Sequence, residues 1–183
     1  MIYPIYAYGE PVLKKRAKEV EKGSLDVVQL SEDMFETMYQ AQGVGLAAPQ
    51  IGLNLRMFVV DSTPMEEDDT SFRKVFINPE ILEETGEFQA IEEGCLSIPG
   101  IREDITRNSV VRIRYFDEHW NEFEEVIAGI RARVIQHEYD HIEGVLFTDK
   151  LSGIKKRLLK NKLTNISKGN VKVDYRMKFP ALR

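Results

Sequence analysis

From Val27 onward, Val27, Leu30, Met34, Met38 and Ala41 recur at steps of three or four, the period of one helix face. Ser24 stands where an N-cap is expected, and Gly43 where the helix should end. The pattern then changes. Residues 55–61 (LRMFVVD) and 74–81 (KVFINPEI) read as strands, with the acidic, turn-rich stretch 62–73 between them as a surface loop. Residues 87–100 (EFQAIEEGCLSIPG) read as strand-like on both sides of Gly94. Residues 109–116 (SVVRIRYF) alternate apolar and polar, and are expected to pair with 122–127 (EFEEVI) across the DEHWN turn. From Gly129 the helical period returns. Ile130, Val134, His137 and His141 fall on one face, and Gly144 stops the helix. A last helix is expected from Thr148 or Ser152, with Leu151, Ile154 and Leu158 inward and its lysines outward, before NVKVDYRMKF (170–179) alternates like a strand. The series predicts an α+β fold: antiparallel or mixed β-sheets packed around the central helix that carries His137 and His141, with an N-terminal helix and a basic C-terminal helix and tail.

Composition narrows the class without changing this picture. The 183 residues are expected to form one catalytic domain, residues 1–183, long enough to bury roughly 70% of the unfolded surface. Nothing at the start reads as a signal peptide, and no apolar run is long enough for a membrane span. A single cysteine, Cys95, excludes an internal disulfide and fits the cytoplasm. The net charge of −5 is unevenly spread: Val145 to Arg183 carry 11 Lys and Arg against two acids, so the first 144 residues hold −14 and the remainder +9. The basic segment, about residues 148–183, fits either a solvated helix face or contact with a polyanion such as nucleic acid.

The chemistry starts at QHEYDH (136–141). Histidines at i and i+4 on a helix project side by side, close enough to share one ion. Glu138, about 100° around the axis, is poorly placed as a ligand but can reach a water at the same ion. Two satisfied core histidines and an exposed glutamate are the plainer alternative. A catalytic site of this kind needs a third protein ligand. Phe147 stands where a metzincin would place its third histidine, and no Glu, His or Cys follows Glu143. The third ligand is therefore expected upstream. Cys95, beside Gly94, is favoured over His119, which lies in a polar turn and reads as a surface histidine. A Cys/His/His set suits Zn²⁺ or Fe²⁺ and disfavours Mg²⁺ or Ca²⁺.

Three segments, GVGLAAPQ (43–50), EGCLS (93–97) and QHEYDH (136–141), together resemble the signature motifs of the peptide deformylase family, in order and at matching spacing. The likeness runs from YGEPVLKKRAKEV to GVLFTDKLS, about 150 residues, and does not extend to the strand-like tail. The resemblance implies removal of the formyl group from the N-terminal formylmethionine of nascent polypeptides. It implies Fe²⁺ as the ion, with Zn²⁺, Ni²⁺ or Co²⁺ able to substitute, held by Cys95, His137 and His141. Glu138 would be the catalytic acid and base, Gln50 and the Leu96 backbone N–H would steady the formyl oxygen, and Gly45 would offer backbone hydrogen bonds to the peptide.

The residues themselves add to this. Gly43 and Gly45 read either as a helix C-cap and turn or as an extended edge accepting a peptide strand. Gly94 permits close backbone approach beside Cys95. Val44, Ile130 and Val134 are candidates for an apolar methionine pocket with Glu93 at its rim, although all three residue types are common in plain cores. Arg133 faces either the pocket mouth or solvent. Two rival functions remain: an HExxH zinc endopeptidase, and a non-catalytic metal-containing module that docks on the ribosome or RNA.

Overall fold

A computed structural model describes residues 1–65 and 71–181 of the chain. Five strands form an antiparallel sheet in the order β2-β3-β4-β5-β6: β2 (Gly45–Ala47), β3 (Met57–Asp61), β4 (Arg73–Cys95), β5 (Ile98–Phe116) and β6 (Glu122–Ala128). A separate parallel pair joins β1 (Ile5–Tyr6) to β7 (Met177–Lys178), so the two ends of the chain meet. Among the described residues, three α-helices complete the α+β architecture: α1 (Val27–Gln40), α2 (Gly129–Ile142) and α3 (Gly153–Ser167).

α1 follows its predicted face, with Val27, Leu30, Met34 and Met38 buried. Its cap is Asp26 rather than Ser24. The Asp26 carboxylate accepts from the Gln29 N–H at 3.0 Å, while the Ser24 hydroxyl donates to the Glu21 carbonyl in the preceding turn. The helix ends in a Schellman motif: the Gly43 N–H reaches the Met38 carbonyl, the Gln42 N–H reaches Tyr39, and Gln42 takes the left-handed position with φ of 56°. Because Gln42 does the capping, Gly43 and Gly45 are left for close packing.

The hairpin of β5 and β6 forms as expected, from Val110↔Ala128 to Phe116↔Glu122, with Asp117 closing the turn through the His119 and Asn121 N–H groups. The strand expected at 74–81 and the first part of the stretch expected at 87–100 are instead one, and the rest of that stretch opens β5. β4 and β5 form a long bent hairpin with register shifts near Glu80, Glu83 and Phe88. Between Glu83 and Ala90 its side chains are exposed, so neither face shows the apolar alternation of a half-buried strand. Of the acidic stretch, Thr63–Met65 forms a short 3-10 turn, and residues 66–70 lie outside the described residues.

α2 packs against β5, β2 and β3 and is buried nearly all round, including Arg133, Gln136 and Glu138, as befits a helix enclosed on every side. Gly144 stops it, at φ of 75°. α3 begins at the Ser152 cap, but its inward face differs from the expected one. Leu151 is buried, whereas Ile154 and Leu158 are 72% and 75% exposed, and Leu159, Leu163 and Ile166 enter the core. The sequence holds two adjacent apolar stripes. The one taken is the one facing Ala7, Ile98 and Ile101. In the tail, only Met177 and Lys178 join a ladder among the described residues, although burial alternates from Val171 to Phe179.

The face of α3 is open to direct test. Leu163→Ala should lower unfolding free energy by about 2–5 kcal/mol, and Leu158→Ala should stay within about 0.5 kcal/mol of wild type. Urea titrations of the two variants check this; the reverse order would place the wrong stripe inside.

Candidate metal centre

Two neighbouring turns of α2 carry His137 and His141, whose ring centroids lie 5.1 Å apart. Cys95 arrives from the tip of the β4–β5 hairpin, where the register jumps from Gly94↔Arg102 to Cys95↔Ile98 and turns the thiol toward the helix. The Cys95 Sγ lies 3.3 Å from His141 Nε2, and one ligand atom from each of Cys95, His137 and His141 falls within 4.8 Å of the others. His119 is exposed in its turn, away from this cluster.

Glu93 brings these elements together. Its carboxylate is 6% exposed, yet accepts from Arg107 Nε at 2.7 Å and Nη2 at 2.9 Å, and from Arg133 Nη1 at 2.9 Å. It also meets His137 Nδ1 at 2.9 Å. A carboxylate only accepts, so Nδ1 carries the ring proton and Nε2 is left to face Cys95. Arg107 continues to Asp140 at 2.8 Å, and Arg133 to the Ile105 and Gln89 carbonyls. Glu93 is thus a buried ionic anchor that also lines the cavity over the cluster, and Arg133, buried beside it, lines the same cavity. Burial alone would push the Glu93 carboxyl up; His137 and Arg107 beside it outweigh that and hold it well below the usual carboxylate range.

Burial works against a charged His137 too, but Cys95 and Glu93 hold its ring above an ordinary imidazole, while His141 is held well below one by burial and the neighbouring His137. Glu138 is buried on the same helix, and its Oε2 has no hydrogen-bond partner among the described residues. Burial pushes its carboxyl up to about 7. A soft and borderline donor set with an orphaned carboxylate oxygen beside it fits a divalent transition metal.

The remaining candidates surround this cluster. Gln50 follows β2 on a short 3-10 turn (Ala48–Ile51); its Oε1 accepts from the Ala47 N–H at 2.9 Å. Its Nε2 is consequently directed to Ser97 Oγ at 3.2 Å and Cys95 Sγ at 3.5 Å. A Cβ added at Gly45 would lie 2.8 Å from Glu138 Cγ and Cδ, and one at Gly43 would lie 2.8 Å from a Leu96 methyl. Glycine at both positions is thus a condition of close packing. Val44, Gly45, Gly94, Leu96, Ile130 and Val134 all line one cavity of about 960 Å³ that opens over the cluster. Sequence reasoning missed Arg107, Ser97 and the tail residues 172–175, which also reach this site. Arg107 lies between the stretches read as strands, 87–100 and 109–116, and no spacing marks it.

The polypeptide deformylase family model matches residues 2–157. The chain belongs to the peptide deformylase family. It is 66% identical over 181 residues to a peptide deformylase of Cytophaga hutchinsonii, covering 98% of each chain, and 56% identical over 190 residues to one of Christiangramia forsetii, covering 98% of this chain and 97% of that one. Among solved structures, it is similar to peptide deformylase from Thermus thermophilus, with 39% identity, a TM-score of 0.83 and coverage of 92% and 99%. It is also similar to the Legionella pneumophila enzyme, with 38% identity, a TM-score of 0.82 and coverage of 93% and 98%. Members of this family are metal-dependent hydrolases that remove N-formyl groups from nascent peptides, so the endopeptidase and the non-catalytic module are not favoured. No helix among the described residues is long and apolar enough to cross a membrane.

Removing the charge of Glu93 tests the anchor. Its folded-state pKa is depressed, so its contribution is complete above the unfolded carboxylate value of about 4.3 and is lost as pH falls toward the folded one. In chelated protein, Glu93→Gln should unfold more easily than wild type by about 3 kcal/mol, because it strands buried guanidinium charge. Denaturant titrations should find that gap steady from about pH 8 to 5 and narrowing below about pH 4. A gap that widens in acid would contradict the assignment.

Proposed function

We propose that Cys95, His137 and His141 hold a single Fe²⁺ ion, with Zn²⁺, Ni²⁺ or Co²⁺ able to replace it, and that Glu138 works as the acid and base of deformylation. The observation that carries this reading is the convergence of one sulfur and two imidazoles beside a buried carboxyl whose Oε2 has no other partner among the described residues. When bound, the ion supplies a Lewis acid for the formyl group and an activated water. The chain's own residues do the rest.

Glu138 takes the proton of the attacking water at its carboxylate and delivers it to the departing amine nitrogen, so that the C–N bond breaks to formate and a free α-amino group. Gln50 Nε2 and the Leu96 N–H donate to the formyl oxygen as it gains charge; one such donor is worth about 3 kcal/mol of barrier. Val44, Ile130 and Val134 form apolar walls for the methionine side chain. The backbone edges at Gly45 and Gly94 accept the peptide main chain, a mode that reads little sequence and suits many nascent substrates.

In this reading residues 1–183 act as one catalytic unit in the cytoplasm, where Cys95 stays reduced. The basic segment from about 148 to 183 holds the enzyme near ribosomal RNA. Lys155, Lys156, Arg157, Lys160 and Lys162 are all exposed on α3, which supports an electrostatic contact.

Two measurements test these assignments. Glu138→Gln should reduce formate release from formyl-Met-Ala-Ser by about 10²–10⁴-fold under anaerobic conditions, with metal content still near one ion per chain; undiminished turnover would remove Glu138 from the reaction. Ribosome affinity, followed by co-sedimentation, should fall by orders of magnitude between about 50 and 200 mM salt. Affinity that holds steady over that range would rule out phosphate contacts as its source.

A further inference from the structure

The family model's match ends at residue 157, within α3, and beyond that helix the chain returns across the molecule to the active-site cavity. Lys172, Val173, Asp174 and Tyr175 form part of the cavity wall. The segment is tied down on both sides of that wall. Val171, Met177 and Phe179 pack against the Ile98 and Leu146 cluster. The Ile5 N–H donates to the Arg176 carbonyl and the Ala7 N–H to the Lys178 carbonyl, each at 2.8 Å. Between these anchors the Tyr175 ring packs on the cluster built from α1, β2 and β3. Its hydroxyl donates to the Leu96 carbonyl at 2.7 Å.

That bond falls on the turn that carries the chemistry. Cys95 ends β4 just past a register break, paired with Ile98, and Leu96 and Ser97 connect it to β5 outside the ladder. The turn is held instead by groups remote in sequence: the Tyr8 N–H on the Ser97 carbonyl at 2.8 Å, Gln50 Nε2 on Ser97 Oγ at 3.2 Å, and Tyr175 on Leu96. Of these, it is Tyr175 that holds the residue whose N–H serves the formyl oxygen in the reading above. Fixing the Leu96 carbonyl restrains the rotation of that residue, and with it the direction of its amide.

We propose that Tyr175 is a positioning residue for deformylation: its hydroxyl bond to the Leu96 carbonyl holds the Cys95–Ser97 turn so that the Leu96 amide meets the formyl oxygen. The C-terminal strap is thereby a working part of the active site. This inference rests on the reading of Leu96 and Gln50 as the oxyanion donors.

The test compares metal-loaded wild type, Tyr175→Phe, Tyr175→Met and Gln50→Ala by steady-state formate release, with metal analysis of each. Phe and Met both fill the position without a hydroxyl, so either reports on the bond if the other fails to fold. The expected result for both is a kcat lowered about tenfold, since small misplacements of a positioned group are costly, with KM within about twofold of wild type and metal content unchanged. Turnover within about twofold of wild type would overturn the proposal. A rise in KM alone would also overturn it, making Tyr175 only a wall of the groove, as would metal loss in proportion to activity, which would place its effect on Cys95. Gln50→Ala separates the two levels. A low kcat there beside a normal Tyr175→Phe leaves the oxyanion reading standing and removes the strap from it. A normal kcat in Gln50→Ala overturns both.

Discussion

One buried carboxylate determines whether the rest of this site can exist. Glu93 sits two residues before Cys95 on β4, and its oxygens are shared among Arg107 of β5, Arg133 of α2 and the His137 ring. A lone carboxylate at that depth would cost several kcal/mol; here two guanidiniums and Asp140 balance the charge, and each partner comes from an element that must be in place. The anchor therefore joins the hairpin that carries the thiol to the helix that carries the imidazoles. It also sets the His137 tautomer, because the proton committed to Glu93 leaves the opposite nitrogen for the cation.

Around that anchor, space is as constrained as charge. The edge strand β2 passes so near Glu138 that Gly45 has no room for a side chain, and a Cβ at Gly43 would press on the tip of the Leu96 side chain. Gln42 takes the left-handed backbone position that a glycine commonly takes, at some conformational cost. The result is an extended backbone edge beside Glu138, with an apolar wall opposite it. A site that must accept many sequences and one formyl group needs that combination of a permissive edge and a rigid centre.

Local periodicity made much of this legible in the sequence. The buried face of α1, the β5–β6 hairpin and the histidine face of α2 each follow from spacings within a dozen or so residues. The HExxH spacing, with no ligand-type residue after Glu143 apart from aspartates, directed attention upstream to Cys95. What the spacing did not carry was anything decided by a distant partner. Asp26 rather than Ser24 caps α1 because its carboxylate reaches the Gln29 N–H. Leu159 and Leu163 rather than Ile154 and Leu158 face inward because α3 lies against residues near both Ala7 and Ile98. The ion-pair role of Glu93 was not legible because Arg107, its main partner, is 14 residues away across a bent hairpin. The tail read as a strand by alternation, yet its contact through Tyr175 spans 79 residues to Leu96.

The central claim is that a sulfur and two imidazoles from separate elements close on one cation. X-ray absorption spectroscopy of the protein loaded anaerobically with iron addresses this most directly. The account predicts a shell containing one sulfur and two imidazole nitrogens, with the sulfur contribution absent in Cys95→Ser. A shell of nitrogen and oxygen alone in the wild-type protein would contradict it.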